Sequence, residues 1–231
     1  MLNFCAGARP GPVFDAAIGQ DCVLCGAAGH ELVCMACEAS LDRVRIACPR
    51  CAMPLVHAGV CGRCHAQRPV FDETLATFRY EFPLDRLVRR FKFAGDLAIG
   101  RWLAERLVET VATATRPQLV VAPPSAPERL RERGFNPGLE ITKRVSKRLG
   151  VRCALEGLVR ARATAPQPGL GRVAREANVE GALHCPISVE GLHVALVDDV
   201  MTTGATANAA ARALRRAGAA QVSVWVVART P

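Results

Sequence analysis

The hydrophobic pattern of the chain changes near residue 70, and this change is the first guide to its organisation. Residues 71–82 form an extended stretch in which aromatic side chains fall on one face, and a proline ends it. Apolar residues then recur at three- and four-residue spacing over Leu84–Phe93 and again over Leu97–Ala114. This spacing places them on one side of a helix, so the pattern predicts two amphipathic helices.

From residue 119 onward, short apolar runs alternate with longer segments of helical character. Strands that alternate with helices are typical of an α/β fold with a mainly parallel sheet between layers of helices. The predicted strands are Leu119–Ala122, Val151–Leu158, Val194–Val197 and Val222–Val227, and the predicted helices are Leu139–Leu149 and Ala205–Ala217.

The segment 160–178 interrupts this alternation. It has no apolar period, and it contains two prolines and two glycines. Segments of this length without secondary structure are usually functional or disordered when they occur in a compact domain. The sequence therefore predicts a long loop here.

Residues 21–66 contain little that could build a hydrophobic core, but they hold eight of the eleven cysteines. The eight form four C-x-x-C pairs, and each half of the segment is a complete ligand set for one tetrahedral zinc ion. Because the first residues lack the apolar core of an export signal, metal ligation is favoured over disulfides. The predicted ligands of two structural zinc ions are Cys22, Cys25, Cys34, Cys37, Cys48, Cys51, Cys61 and Cys64.

Two arrangements of the zinc centres are open. In the first, each half of the segment binds its own zinc, as two zinc ribbons in sequence. In the second, the pair Cys22/Cys25 shares one zinc with the pair Cys48/Cys51 in an interleaved cross-brace. Neither arrangement leaves an open coordination position, so the zinc has a structural or binding role and not a catalytic one.

These patterns divide the chain into three parts. We predict an irregular lead-in over residues 1–20, a double zinc ribbon over 21–68 and an α/β domain over 71–231. If the parts are independent, Cys48→Ser unfolds the ribbons, releases one of the two zinc ions and leaves the α/β domain folded.

The most informative run is Val194–Thr206, which reads VALVDDVMTTGAT. Its four apolar residues predict a buried strand, and Asp198 and Asp199 follow at an exposed strand end. A loop with threonines and Gly204 then leads into a helix. In open α/β sheets, ligands bind beyond the carboxyl ends of the strands, so a site is expected here.

The residues of this run suit a ribose phosphate bound with Mg²⁺. Adjacent carboxylates accept hydrogen bonds from neighbouring ribose hydroxyls and favour a nearby magnesium ion. The backbone N–H groups that open a helix form an anion site, and a glycine lets the backbone approach the phosphate. The run matches the 5-phosphoribosyl-1-pyrophosphate (PRPP) signature of type I phosphoribosyltransferases, with Asp198 and Asp199 as the catalytic pair. The predicted loop for the 5′-phosphate is Val200, Met201, Thr202, Thr203, Gly204, Ala205 and Thr206.

Further motifs occur in order around this run. They are Lys92-Phe93-Ala94-Gly95, Arg133-Gly134-Phe135-Asn136, and Pro166-Gln167 followed by Leu170, Arg175 and Asn178. Together with the cysteine-rich front, they resemble the ComF family over roughly residues 22–229. Members of that family look like phosphoribosyltransferases and are associated with DNA uptake during natural competence. The resemblance implies a type I phosphoribosyltransferase-like domain behind a small zinc-ribbon module.

The resemblance also places basic residues around the PRPP site. It implies that residues 123–136 face pyrophosphate and that residues 160–178 are a flexible loop that closes over PRPP. Arginine side chains suit phosphate oxygens because they donate two parallel hydrogen bonds. The expected contacts are Lys92, Arg129, Arg131, Arg133, Arg162, Gln167 and Arg175.

Two positions depart from the family's usual pattern. Gln118 stands where the family usually has an acidic residue before a strand, and Pro137 stands where it usually has glutamine. Both are expected around the loop that faces pyrophosphate. They therefore bear on pyrophosphate binding more than on ribose-phosphate binding.

The net charge indicates which partners the protein binds, and the lengths of the apolar runs indicate where it is located. The formal net charge is +9, and two Zn²⁺ held by eight thiolates lower it to about +5, which suits a phosphorylated or nucleic-acid partner. The aromatic content of 5% argues against stacking platforms for bases. No apolar run reaches the roughly 20 residues that cross a bilayer, so we predict a cytoplasmic protein without membrane insertion.

Three functions fit these features. The first is a PRPP-binding protein of DNA uptake or processing, with single-stranded DNA and competence proteins as partners. The second is an active Mg²⁺-dependent phosphoribosyltransferase of nucleotide metabolism, whose acceptor the sequence does not identify. The third is a regulator that senses PRPP without catalysis. The resemblance favours the first.

Overall fold

The computed structural model of the protein describes residues 19–160 and 183–231. Most of the predicted lead-in and nearly all of the predicted loop 160–178 lie outside these residues. Within them, the longest helix has 15 residues, and no helix is both long and apolar enough to cross a membrane.

The described elements follow the predicted order of a cysteine-rich front and an alternating α/β region. In chain order they are β1 (Gln20–Asp21), β2 (Ala28–Gly29), α1 (Met35–Ala39), α2 (Gly62–Ala66), β3 (Glu73–Arg79), α3 (Leu84–Ala94), α4 (Leu97–Val111), β4 (Leu119–Val121), α5 (Pro127–Arg133), α6 (Pro137–Leu149), β5 (Arg152–Ala154), β6 (Val159–Arg160), β7 (Leu183–His184), β8 (His193–Met201), α7 (Ala205–Arg216) and β9 (Gln221–Arg229).

A five-stranded parallel sheet with strand order β3-β9-β8-β4-β5 forms the centre of the fold. The two long central strands, β8 and β9, are buried over most of their length. Strands buried on both faces read as continuous apolar runs, which is why the sequence identifies them. The structure confirms the predicted α/β class and the mainly parallel sheet.

Helices cover both faces of the sheet. On one face, α3, α4 and α6 pack through a cluster that includes Leu87, Leu103 and Ile141. On the other face, the alanine-rich side of α7 packs through a second cluster with Val194 and Leu196 of β8. The small side chains of α7 let this helix lie close to the strands, as the alanine-rich pattern suggests.

Several predicted boundaries differ from the structure. The strand predicted at Val194–Val197 continues to Met201, because β9 pairs with it as far as Arg229. The strand predicted at Val151–Leu158 is only three residues long, because its single neighbour, β4, is equally short. The aromatic face predicted for residues 71–82 is wrong at its end, since Phe82 is 71% exposed.

The zinc ribbons share the two cores of the α/β domain. Val33 and Leu41, from the first ribbon, belong to the cluster beneath α3 and α4. The cysteines of the second ribbon belong to the cluster beneath α7. Removing a ribbon would expose apolar surface of the sheet layers. Contrary to the expectation from the sequence, Cys48→Ser should therefore destabilise the α/β domain as well.

Candidate functional site

A polar cleft of about 340 Å³ opens at the carboxyl edge of the sheet. Its position follows from the lengths of two strands: β4 ends opposite Leu196 of β8, while β8 continues for five more residues. Pro123 and Pro124, one residue beyond the end of β4, cannot donate backbone hydrogen bonds, so the strand does not continue. The charged residues that line the cleft are Lys92, Arg129, Arg133, Arg160, Asp198 and Asp199.

The acid pair lies within β8 and not at an exposed strand end, which corrects the prediction. Asp199 is only 6% exposed, and its Oδ1 lies 3.0 Å from the Lys92 ammonium nitrogen. Asp198 is half-buried, and no ion pair among the described residues includes it. The backbone N–H of Asp199 donates to Asp198 Oδ1 at 2.8 Å, and the N–H of Val200 donates to Asp199 Oδ1 at 2.6 Å.

The two carboxylates differ in their electrostatics. Burial and the negative charge of Asp199 raise the pKa of Asp198 to about 7, against the smaller opposing effects of a backbone hydrogen bond and Lys92. A buried carboxylate close to another one ionises with difficulty unless a donor or a cation approaches it. Asp198 is therefore the member of the pair that a hydroxyl donor or a metal ion would stabilise most.

Lys92 reaches the cleft from the last turn of α3. Gly95 ends that helix in the left-handed conformation, with a φ of 68°, which glycine adopts without a Cβ penalty. The neighbouring Phe91 is fully buried, whereas Phe93 is 67% exposed. The Lys-Phe-Ala-Gly motif is thus a helix end that directs one lysine to the acid pair.

The Arg-Gly-Phe-Asn motif forms the junction between α5 and α6. Gly134 ends α5 with a φ of 75°, and the Phe135 ring packs on Phe91, with centroids 5.5 Å apart. Arg133 precedes the junction and lines the cleft. The aromatic contact fixes the junction to the core, so the basic end of α5 is held at the cleft.

The start of α6 lies directly against the acid pair. Asn136 caps this helix by accepting a hydrogen bond from Leu139 N, and its Nδ2 donates to the Pro123 carbonyl at 2.9 Å. A Cβ atom at Gly138 would lie 2.8 Å from Asp198 Oδ1. Because glycine has no side chain, the helix backbone can lie this close to the Asp198 carboxylate.

Besides Lys92, the six other predicted contacts separate into three groups. Arg129 and Arg133 line the cleft, although they lie on helix α5 and not on the predicted loop. Arg131, on the same helix, has a side chain that is 76% exposed and lies 3.4 Å from Glu128; it does not line the cleft. The remaining predicted contacts, Arg162, Gln167 and Arg175, lie outside the described residues.

Arg160 lines the cleft and was not predicted. Its Nε donates to the Ser125 carbonyl at 3.3 Å, which holds the side chain beside the turn after β4. The sequence carried one usable signal, because Arg160 is the first residue of the segment expected to close over the ligand.

The predicted phosphate loop connects β8 to α7 and encloses a cavity of about 50 Å³. Gly204 caps α7 with a φ of 81°, and the Ala205 N–H donates to Thr203 Oγ1 at 3.3 Å. Thr202 and Thr206 line both this cavity and the larger cleft. The loop therefore places a helix N-terminus and hydroxyl groups beside the acid pair, an arrangement that suits an anion.

Of the two residues that differ from the family's usual pattern, Gln118 and Pro137, only Pro137 lies near the cleft. Pro137 lines it as the first residue of α6. Gln118 lies at the opposite, amino end of the sheet, where its Oε1 accepts a hydrogen bond from His193 N at 2.7 Å. The expectation that Gln118 adjoins the pyrophosphate loop is wrong, because a residue before a parallel strand is a strand's length away from the site.

The eight C-x-x-C cysteines form two separate clusters, with the sulfur atoms of each within 4.8 Å of one another. The clusters are Cys22–Cys37 and Cys48–Cys64, so the ribbons are sequential and the interleaved arrangement is wrong. Neighbouring sulfurs around a tetrahedral zinc with bonds of ~2.3 Å lie about 3.8 Å apart. The observed separations of 3.8 Å for Cys25–Cys34 and 3.6 Å for Cys51–Cys61 fit this geometry.

A buried arginine connects the second zinc cluster to the phosphate loop. Arg229, near the end of β9, is 1% exposed. Its Nε donates to the Cys51 carbonyl at 2.9 Å, and its Nη1 donates to the carbonyls of Met201 and Thr202 at 3.2 and 2.6 Å. One side chain thus joins a zinc-binding turn to the first residues of the loop. No motif or spacing in the sequence pointed to this role.

Two sequence models match the two parts of the chain, and a solved structure covers part of it. Residues 136–231 match the sequence model described as the phosphoribosyl transferase domain, and residues 13–65 match the double zinc ribbon domain. A solved structure of glutamine PRPP amidotransferase from B. subtilis is 25% identical and covers 55% of this chain and 25% of its own, with a TM-score of 0.40.

Two relatives extend over nearly the whole chain. The DNA utilization protein YhgH of Salmonella typhimurium is 34% identical over 219 residues, which cover 90% of this chain and 96% of the relative. Competence protein F of Haemophilus influenzae is 31% identical over 207 residues, which cover 85% of this chain and 90% of the relative. The chain therefore belongs to the ComF family, with a phosphoribosyltransferase-type domain behind a double zinc ribbon.

Proposed function

We propose that the protein binds PRPP or a related ribose phosphate in the cleft and acts in DNA uptake or processing. The observation that carries the proposal is the continuity of β8: the acid pair on the cleft floor leads directly into a loop that opens a helix. One segment thus offers acceptors for ribose hydroxyls and donors for a phosphate.

Each part of the site has a defined role in binding the ligand. Asp198 and Asp199 accept hydrogen bonds from the ribose hydroxyls, and Lys92 holds Asp199 in place through its ion pair. The loop Thr202–Thr206 binds the 5′-phosphate through backbone N–H groups and hydroxyls. Arg129 and Arg133 stand on the other wall of the cleft and face the pyrophosphate. This separation of acidic floor and basic wall matches a ligand with a neutral sugar between two anionic ends.

The donor set also fits Mg²⁺. Carboxylates and phosphate oxygens are the ligands that this ion prefers, and among the described residues Lys92 forms its ion pair with Asp199 and not with Asp198. Asp198 together with the ligand's own phosphates would hold the ion, which would neutralise charge on pyrophosphate.

The role in DNA handling is supported by the names of the relatives and by one structural feature. Phe93 is exposed, and the guanidinium of Arg133 lies 4.8 Å from its ring centre. Because Arg133 also lines the cleft, a single-stranded nucleic acid could stack a base on Phe93 with its backbone across the mouth. The low aromatic content did not suggest this platform.

Release of pyrophosphate distinguishes a protein that transfers the ribosyl group from one that only binds PRPP. In a transferase, the bond between ribose C1 and pyrophosphate breaks, pyrophosphate leaves with the electron pair, and an acceptor nucleophile bonds to C1. Release of pyrophosphate that depends on an added acceptor would establish an enzyme. Binding of PRPP without such release would establish a PRPP sensor.

A thermal-shift panel tests the ligand. The panel contains PRPP, ribose 5-phosphate and nucleotides, each with and without Mg²⁺. A ligand at 100 times its dissociation constant adds about 2.7 kcal/mol to the stability of the folded state. We expect PRPP with Mg²⁺ to give the largest shift and Lys92→Met to reduce it. Equal shifts for wild type and Lys92→Met, or no shift with any ribose phosphate, would refute the proposal.

A further inference from the structure

A second polar pocket, separate from the cleft, lies between the second zinc ribbon and α7. Its volume is about 130 Å³, well below the ~300–1,000 Å³ of pockets that enclose a whole organic ligand. Three arginines line it: Arg63 and Arg68 from the ribbon side and Arg212 from α7. We call it the ribbon pocket.

Two of the three arginines of the ribbon pocket, Arg63 and Arg68, have no partner among the described residues. The side chains of Arg63 and Arg68 make no hydrogen bond or ion pair with another described residue, and both are exposed. Two other arginines of the zinc module are engaged: Arg43 lies 3.1 Å from Glu38, and Arg50 donates to the Cys64 carbonyl. Two neighbouring guanidinium groups without an acidic partner repel each other and favour an anion between them.

The charge of the second zinc centre does not account for these arginines. A zinc ion with four thiolates carries a charge of about −2. Arg50 and Arg229 already donate to the carbonyls of Cys64 and Cys51, two of its ligands. Their two charges balance the centre, so Arg63 and Arg68 remain in excess.

Neutral donors complete the lining of the ribbon pocket. Asn208 Oδ1 accepts a hydrogen bond from Val70 N at 2.9 Å, and its amide nitrogen makes no hydrogen bond with another described residue. Gln67 and Thr203 also line the pocket. Guanidinium, amide and hydroxyl donors around a small volume are the groups that bind a phosphate.

We propose that the ribbon pocket is a second phosphate-binding site, distinct from the ribose-phosphate cleft. Its ligand is a single phosphate group, either free or within a polynucleotide backbone. Thr203 and Met201 line both this pocket and the cavity of the phosphate loop. The two anion sites therefore share a wall, and a phosphate bound in one adjoins the loop that serves the other.

The test compares two variants of the full chain with a matched control. Arg63→Gln combined with Arg68→Gln removes the ribbon arginines, and Arg212→Gln changes the opposite wall without touching the ribbon. Arg45→Gln removes an exposed arginine of the same zinc module that does not line the pocket. Zinc content and PRPP affinity are measured for each protein, since neither should change when these arginine side chains are replaced.

Two probes distinguish the sources of phosphate: a labelled oligothymidylate followed by anisotropy across a salt series, and inorganic phosphate followed by calorimetry. We expect oligothymidylate affinity at low salt to fall about tenfold in both pocket variants. The slope of log affinity against log salt should become shallower by about one in each pocket variant, because the single phosphate in the pocket is no longer neutralised. Arg45→Gln should leave both quantities near wild type.

The two probes together show whether the ribbon pocket binds a polynucleotide phosphate, a free phosphate or neither. Weaker oligothymidylate binding in both pocket variants assigns the pocket to a polynucleotide phosphate. Weaker binding of inorganic phosphate alone assigns it to a free phosphate group. Unchanged affinity for both probes in Arg212→Gln and in the double variant, with two zinc ions retained, would overturn the proposal. PRPP affinity that stays constant throughout keeps this result independent of the cleft.

Discussion

The two zinc ribbons have nearly the same ligand spacing, yet they occupy different environments. In the first ribbon, Cys25 is exposed and Cys34 and Cys37 are half-buried. In the second, all four cysteines are buried, and they belong to the cluster beneath α7. Because the two ligand sets are equal, both ribbons should bind zinc alike. The packing around each ribbon decides how much of the fold loses stability when its zinc is removed.

The connections between the ribbons and the sheet domain differ in the same way. The first ribbon is joined to α4 by the ion pair of Arg106 with Glu38, at 2.8 Å and partly exposed to solvent. The second ribbon is joined to the phosphate loop by the buried Arg229. We infer that the first ribbon is a peripheral support and that the second is part of the ligand site.

The largest expected effect comes from removing equivalent ligands. Cys51→Ser should lower the free energy of unfolding of the whole chain by about 4 kcal/mol or more, because it empties a metal centre inside the main core. Cys25→Ser, at the matching position of the first ribbon, should cost about half as much. Denaturation curves together with zinc analysis measure both. Equal losses in the two variants would remove the distinction between the ribbons.

A smaller effect is expected from the two connecting arginines. Arg229→Met removes the hydrogen bonds that this side chain donates to the carbonyls of Cys51, Met201 and Thr202 and should cost about 3 kcal/mol, with weaker binding of ribose 5-phosphate. Arg106→Met breaks a partly exposed ion pair and should cost about 1 kcal/mol, with no change in binding. Denaturation and ligand titration of both variants give the comparison. Unchanged ribose 5-phosphate affinity in Arg229→Met would show that the phosphate loop does not depend on the second ribbon.

The smallest effect is the rate at which the wild-type protein loses its two zinc ions, with Cys25→Ser as the control. A chromogenic chelator should remove zinc in two phases of one ion each, with the exposed first ribbon losing its ion first. Cys25→Ser should abolish the fast phase. Ribose 5-phosphate should still bind after that phase is complete and should lose affinity during the slow one. A single phase, or loss of binding in the fast phase, would contradict the assigned roles.

Local sequence patterns predicted the parts of this molecule that depend on periodicity and short motifs. Apolar runs located β8 and β9, and helical spacing located α3, α4, α6 and α7 within a few residues. The C-x-x-C pairs identified the metal clusters, because four thiolates at this spacing have few other uses.

Features that depend on contacts distant in sequence were not predictable. Asp199 was expected at an exposed strand end because the pattern could not show that β9 extends alongside it. Gln118 was expected close to the ligand because its place at the amino end of the sheet emerges only once the strands are paired. Arg229 is 178 residues from Cys51, and a lone arginine at the end of a strand carries no signal of such a partner.

The central claim is that the acid pair and the phosphate loop bind one ribose phosphate. Titration calorimetry of PRPP with Mg²⁺ into wild type, Asp198→Asn and Arg131→Gln tests it most directly. Asp198 has no ion pair among the described residues, so its replacement should affect the fold less than replacing Asp199, and Arg131 is a control outside the cleft. The account predicts one site per chain, an affinity about 10- to 100-fold weaker in Asp198→Asn, and no change in Arg131→Gln. Equal affinity in wild type and Asp198→Asn would contradict it.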